Sequence, residues 1–322
     1  MILVTGGAGY IGSHTVKELL RHGYEVVVYD NLSTGHREFV LSEHFVEGDL
    51  LDLEELRATF RRYPIEAVLH FAAVCRVDES VANPQKYYQN NVVGGLNLLQ
   101  AMLEHDVKLI IFSSSAAVYG DPELVPIPEN HPKRPKNPYG WTKWIFEQIL
   151  ADYAHAYGLK YIALRYFNAA GADPEGQLGE RRAQESHLIP IVLEAALRGK
   201  PVQIYGTDYN TDDGTAIRDY IHVSDLATAH VLALQRLQAG QVANGVYNLG
   251  IGRGYSVREV IETCERVTGR RIEARPAPRR PGDPARLVAD ATRARRELGW
   301  EPQFTELEEI VRTAWEWMKR QA

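Results

Sequence analysis

The residues best suited to chemistry are a tyrosine and a lysine four apart. In Tyr139-Gly140-Trp141-Thr142-Lys143 the two lie on one face of a helix, because positions i and i+4 are neighbours there. A free tyrosine has a pKa near 10 and is a poor base at neutral pH. A nearby ammonium favours the phenolate, so the pair is expected to bring Tyr139 down toward the working pH and make it a general base for an alcohol. Upstream, an apolar run ends in Ser113-Ser114-Ser115. A hydroxyl at Ser115 can bridge a substrate oxygen and the tyrosine.

An oxidant is implied at the N-terminus. Thr5-Gly6-Gly7-Ala8-Gly9-Tyr10-Ile11-Gly12 contains Gly7-x-Gly9-x-x-Gly12, after an apolar run and before a helical pattern. Glycines there permit a tight turn, a close approach of backbone to a pyrophosphate, and close helix–strand packing. The helix N-terminus adds free N–H groups and a positive dipole end. Asp30 stands 18 residues after Gly12, at the end of a second apolar run. A carboxylate there binds both ribose hydroxyls of NAD and repels the 2′-phosphate of NADP. A cationic nicotinamide near Tyr139 would further favour the phenolate and accept a hydride.

The elements that must position these groups read as follows. Ile2–Thr5, Glu25–Tyr29, His44–Glu47, Ala67–Phe71 and Lys108–Ser113 are strands. Ser13–His22, Leu53–Arg61, Asn90–His105 and Tyr139–Tyr157 are helices. Apolar strands alternating with helices point to a parallel sheet covered on both faces. Gly120–Pro138 carries six prolines and reads as a loop, as do Asp208–Thr215 and the arginine–proline run Arg275–Arg286. The expected fold is α/β: a Rossmann-type doubly wound parallel sheet over residues 1–166, with a segment near 216–228 returning to it, and a smaller C-terminal α/β substrate domain over 167–322.

Composition narrows the partners. The chain has 322 residues with Lys+Arg 36 against Asp+Glu 42, a net charge of −6. No nucleic-acid partner is expected of so acidic a balance. The two cysteines, Cys75 and Cys264, form no CxxC pair, which fits a reducing compartment. No apolar run approaches the roughly 20 residues that span a bilayer, and MILVTGGAGY lacks the basic region of a signal peptide. A cytoplasmic protein without a membrane partner is expected. The 11 histidines show no HExxH or other ligand spacing, so no metal is expected.

TGGAGYIGSH, DNLSTG, FSSSAAVYG, NPYGWTK, LRYFNAAGA, DGTAIRDYIHVSDLA and RRPGD together resemble the extended short-chain dehydrogenase/reductase family, and within it the nucleotide-sugar 4-epimerases, over nearly the whole chain. The resemblance implies tightly bound NAD and reversible 4-epimerisation of UDP-glucose and UDP-galactose through a 4-keto sugar. It implies Ser115, Tyr139 and Lys143 as catalytic residues, with Ser115 and Tyr139 also touching substrate. For the cofactor it implies Gly6, Gly9, Tyr10, Ile11 and Gly12 at the pyrophosphate. Asp30, Asn31, Leu32, Ser33, Thr34 and Gly35 would hold the adenosine ribose, and Asp49 and Leu50 would flank adenine. Phe71, Ala72, Ala73, Val74, Cys75, Asn90, Ser113 and Phe167 would line the cleft. For the substrate it implies Asn168, His187, Leu188, Gln203, Tyr205, Tyr220 and Leu287, with Arg218 and Arg280 on the diphosphate and Asp283 at the uridine ribose. A homodimer is implied, through helices around Asn90–His105 and Trp144–Tyr157.

Several positions qualify this picture. Relatives place a lysine where this chain has Cys75, which reads as a small buried apolar residue. Leu287 stands where glucose/galactose-restricted members often have tyrosine, which implies a wider sugar pocket and some tolerance of N-acetylhexosamines. Ala116 and Ala117 replace the Asp-Glu pair of the 4,6-dehydratases and count against that chemistry. Intact Tyr139 and Lys143 count against a catalytically silent NAD-binding regulator. His187 reads as a hydrogen-bonding residue and His70 as packing.

Overall fold

Ile2–Thr5 is buried at every position because both faces of the strand are covered. In the computed structural model, which describes residues 1–280 and 282–321, the strands are β1 (Ile2–Thr5), β2 (Val26–Asp30), β3 (His44–Glu47), β4 (Ala67–His70), β5 (Leu109–Ser115), β6 (Lys160–Tyr166), β7 (Asn168–Ala170), β8 (Val202–Tyr205), β9 (Ile217–His222), β10 (Gly245–Leu249), β11 (Gly254–Ser256), β12 (Ala274–Ala277) and β13 (Arg286–Leu287). The helices are α1 (Tyr10–Arg21), α2 (Leu53–Arg62), α3 (Val77–Ala82), α4 (Pro84–Tyr88), α5 (Gly94–Glu104), α6 (Pro138–Tyr157), α7 (Leu188–Arg198), α8 (Val223–Gln238), α9 (Val257–Thr268), α10 (Thr292–Leu298) and α11 (Leu307–Gln321).

Seven strands form a parallel sheet in the order β10-β6-β5-β4-β1-β2-β3. The period-2 alternation of a strand divides its side chains between two cores. Ile2 and Val4 join one cluster with α1 and α8, while Leu3 joins the other with α2, α5 and α6. The strand order reverses between β1 and β4, and a crevice opens outside their carboxyl ends, where doubly wound folds bind ligands. The sheet draws its last strand, β10, from residues beyond 166, and α8 packs on the same core as β1 and β2. A third cluster, built on α7, α9 and α11, supports the smaller half. There β9 is the hub, paired with β11, β13 and β7. A separate ribbon joins β8 to β12.

The strands and helices expected from the sequence fall close to their observed bounds, and Gly120–Pro138 is mostly irregular. Three differences have physical causes. Helix α1 starts at Tyr10, not Ser13, because the glycine loop itself forms the N-terminus. The first residues of the expected Asn90–His105 helix form a wider, π-type turn at Gln89–Val93, and the regular helix begins at Gly94. The arginine–proline run is not all loop: Ala274–Ala277 pairs with β8. Pro276 is tolerated because β12 is an edge strand whose missing N–H faces no partner.

Candidate active site

The glycine loop packs to the limit of backbone approach. Gly6 has φ of +73°, and a Cβ there would lie 2.6 Å from Ala72 N. A Cβ on Gly12 would lie 2.2 Å from Gly6 O. Only glycine therefore lets the turn after β1 lie against the Phe71–Val74 segment. Gly9 is the N-cap of α1 and no side chain caps it, so the positive end of that helix faces the crevice. Asp30 Oδ2 accepts from Ala8 N at 3.0 Å and Oδ1 from Leu32 N at 2.8 Å. Those bonds hold the carboxylate beside the loop, while burial pushes its pKa up. Asn31 Nδ2 donates to Asp49 Oδ2 at 2.9 Å, which joins the ends of β2 and β3. A side-chain-free cradle, an uncapped helix terminus and an adjacent fixed carboxylate fit a dinucleotide.

Strand β5 sorts its three serines. Ser114 points away from the crevice and donates to Glu147 Oε1 at 2.5 Å, inside a buried pair with Arg165. Ser113 and Ser115 share the opposite face. Ser113 Oγ donates to Tyr166 Oη at 3.1 Å, and its carbonyl accepts from Lys143 Nζ at 2.8 Å. Ser115 Oγ caps the following turn by accepting from Ala117 N at 3.1 Å. Helix α6 is launched at this point by Asn137, which accepts from Gly140 N, and by Pro138 at its first position. A Cβ on Gly140 would meet Ala117 O at 2.6 Å. Glycine thus lets the first turn of α6 close on the Ser115 turn and bring Tyr139 to it.

Tyr139 and Lys143 are both buried, and the Lys143 ammonium lies 5.9 Å from the Tyr139 ring centre. Burial pushes Lys143 down to about 8. Burial also raises Tyr139 well above 10, with Ser115 pulling it down by less. The expected depression of Tyr139 is therefore not present in the protein alone: desolvation of the phenolate is the largest influence on it.

The facing wall comes from the small sheet. Register places Asn168 beside Tyr220 and Arg218 beside Leu287. Leu287 also packs on the cluster of Phe167 and Ala116, next to Ser115. Arg218 donates to Asp283, so these two residues, expected on diphosphate and ribose, hold each other. The Arg280 guanidinium lies 4.0 Å over the Tyr205 ring. Gln203 is exposed on the same strand face as Tyr205, two residues away. His187 caps α7 just before Leu188, with Nδ1 2.7 Å from Glu180 Oε1. Glu180, Glu185 and His187 bring ligand-type atoms within 4.8 Å of one another, but Arg182 donates to Glu180 at 2.7 Å and already supplies positive charge. A separate cleft of about 550 Å³ opens around Glu129, Lys133, Trp144 and Arg165 and contains none of the expected site residues.

Several expected residues sit differently. Cys75 is exposed, not buried, because it lies on the loop past β4, and Arg182 Nη1 reaches its Sγ at 3.6 Å. Leu50 is a core residue, buried against Gly94, with its carbonyl accepting from Asn97. The Phe71 ring packs on His230, 4.6 Å between centres, so that residue offers the crevice mainly backbone. Tyr10 spans to the other half, donating to Gly171 O at 2.6 Å. Asn91, unforeseen beside Asn90, bonds Val74 N and O and Thr142, and so ties the loop after β4 to α6. Tyr209, buried under Arg279, was also unforeseen; its only signal was an aromatic in a polar turn.

A doubly wound sheet with a glycine-lined dinucleotide cradle and a Tyr–Lys pair defines an NAD-dependent short-chain dehydrogenase-type protein. Residues 2–250 match the NAD dependent epimerase/dehydratase family, and the chain belongs to it. It is 54% identical over 320 residues to the UDP-glucose 4-epimerase of Halalkalibacterium halodurans, covering 99% of this chain and 95% of that protein. The UDP-glucose 4-epimerase from Brucella ovis in complex with NAD superposes with a TM-score of 0.95 at 52% identity, covering 98% and 97% of the two chains. That from Bifidobacterium longum in complex with NAD+ and UDP gives 0.92 at 41% identity, covering 99% and 98%.

Proposed function

We propose that this chain is an NAD-dependent UDP-glucose 4-epimerase that interconverts UDP-glucose and UDP-galactose. One observation carries the reading: a buried Tyr139–Lys143 pair meets Ser115 at the end of β5, between a dinucleotide cradle and a wall of arginine, aspartate and tyrosine. Tyr139 takes the proton of the 4′-hydroxyl, and Ser115 holds that oxygen. NAD, when bound at the glycine loop, supplies the acceptor for the hydride leaving C4. The Ser115 hydrogen bond pulls against the burial that opposes the phenolate, and a cationic nicotinamide in the crevice would add to that pull. Arg218 and Arg280 suit a diphosphate, because a guanidinium is a planar, charge-assisted fork. A firm grip on the nucleotide and a loose one on the hexose let the 4-keto sugar turn over and be reduced from its other face.

The two halves are read as an NAD-binding domain over 1–166, rejoined by 216–228, and a nucleotide-sugar domain over 167–322. The packing of α8 on the main core supports the return. A homodimer is supported by Val81, Tyr88 and Val93, exposed on elements that adjoin α6, and by Trp141, exposed on α6 itself. A cytoplasmic location fits two free cysteines; among the described residues no helix is long and apolar enough to cross a membrane.

The test is incubation of the purified protein with UDP-galactose and no added NAD, following UDP-glucose. Conversion is expected, with the cofactor carried through purification. No conversion, even after NAD is added, overturns the reading.

A further inference from the structure

The segment Glu180–His187 is fastened to both loops that flank the dinucleotide cradle. On one side lies the loop after β2. There the Arg181 guanidinium bonds Glu38 and sits 5.2 Å from the Phe39 ring centre, while His36 Nε2 donates to Arg181 O at 2.9 Å. On the other side lies the loop after β4. There Arg76 Nη1 donates to Gln184 Oε1 at 2.6 Å, and Arg182 Nη1 contacts Cys75 Sγ. Strand order puts β1 between β2 and β4, so a segment tied to both must pass over the glycine loop and the start of α1. The field at Tyr10, in the first turn of α1, agrees, since Glu180, Arg182 and Glu185 all act on its hydroxyl. The segment just before it is held to α1 too: Tyr10 reaches Gly171 O, and Lys17 Nζ donates to Asp173 Oδ2 at 2.6 Å.

We propose that residues 180–187 form a clasp over the bound dinucleotide, with Arg181, Arg182 and Gln184 as its fasteners, and that the clasp sets how slowly the cofactor leaves. The inference rests on the NAD reading above. Each tie is a polar contact that is weak on its own at a surface. Together they must release before the segment can lift, so their effect falls on the off-rate. Arg182 brings its guanidinium to Cys75 from across the cleft.

The experiment measures release of NAD from purified holoenzyme during dialysis, by enzymatic cycling of the dialysate, for the parent, R181A/Q184A and R181A/R182A/Q184A. The triple variant is expected to release NAD at least about 10-fold faster, and the double variant about 3-fold faster. Arg182→Lys, restored into the triple background, should recover part of the retention. R181A/Q184A replaces only the clasp's outer contacts and keeps the test valid if the triple variant fails to fold. A parent that holds NAD and variants that release it within twofold of the parent overturn the clasp alone. A parent that binds no NAD overturns both the clasp and the reading beneath it.

Discussion

The two walls of the cleft are built from different materials. The cofactor wall is backbone and buried side chains: a glycine loop in contact with Ala72, an uncapped helix terminus, Asp30 braced by two N–H groups, and Lys143 on the Ser113 carbonyl. The substrate wall is made of long side chains that satisfy one another: Arg218 on Asp283, Arg280 on Tyr205, Arg279 on Tyr209. Secondary structure fixes the first to the tolerance that proton and hydride transfer needs. The second must exchange its internal partners for a ligand's, which suits a substrate that binds, turns and leaves. Rigidity is spent where the chemistry is, and adaptability where the sugar moves.

The largest expected effect falls on the rigid wall. Tyr139→Phe should lower turnover about 10²–10⁴-fold, the usual range for losing a general acid–base group, with NAD content unchanged. Unchanged turnover would break the assignment of chemistry to this wall. Behind it, Glu147 and Arg165 form a buried ion pair with side chains 1% and 2% exposed. Glu147→Ala should destabilise the fold by about 3–5 kcal/mol by leaving a buried guanidinium unpaired, read in denaturant melts. A loss under about 1 kcal/mol would mean that the support of β5 lies elsewhere.

The adaptable wall should respond in binding first. Arg218→Ala removes the proposed diphosphate donor and frees Asp283, so KM for UDP-galactose should rise about 10-fold or more while kcat moves less. Equal falls in kcat would make Arg218 part of the catalytic geometry instead. Acid should act mainly on the rigid side. Burial holds His14 and His230 down to about 4, and His70 and His222 down to about 3. Their folded pKa values lie below the unfolded value, so the stability they contribute is complete above about pH 6.5. It drains as pH falls toward 4, by up to about 1.4 kcal/mol per pH unit for each histidine. A melting temperature flat between pH 7 and 5 would contradict this. The smallest change is expected from Leu287→Tyr, which narrows the space beside Phe167 and should lower the ratio of UDP-N-acetylglucosamine to UDP-galactose turnover. An unchanged ratio would remove Leu287 from the pocket's width.

Much of the rigid wall was legible in the chain because its signals are local. Gly7-x-Gly9-x-x-Gly12, an acid at a strand end and a tyrosine–lysine pair at helical spacing follow from turn geometry and the 3.6-residue period, whatever else the fold does. The apolar runs likewise determined the strands, their parallel pairing and the two-faced core. The resemblance then supplied roles for the dispersed arginines and aspartate, which no period marks.

What only the tertiary structure decided involves groups far apart in the chain. Which serine faces the crevice depended on where β5 ends and which face α6 covers. The protonation of Tyr139 turned on burial, whose desolvation exceeds the pull of the Ser115 hydrogen bond. Cys75 proved exposed, and its partner Arg182 lies 107 residues away. The joining of β10 to the main sheet, the mutual pairing of Arg218 and Asp283, and the passage of residues 180–187 over the glycine loop are likewise contacts between distant segments. A sequence states local propensity and pattern; which long-range partners meet is set by how whole layers pack, and that is where the substrate wall and its clasp arise.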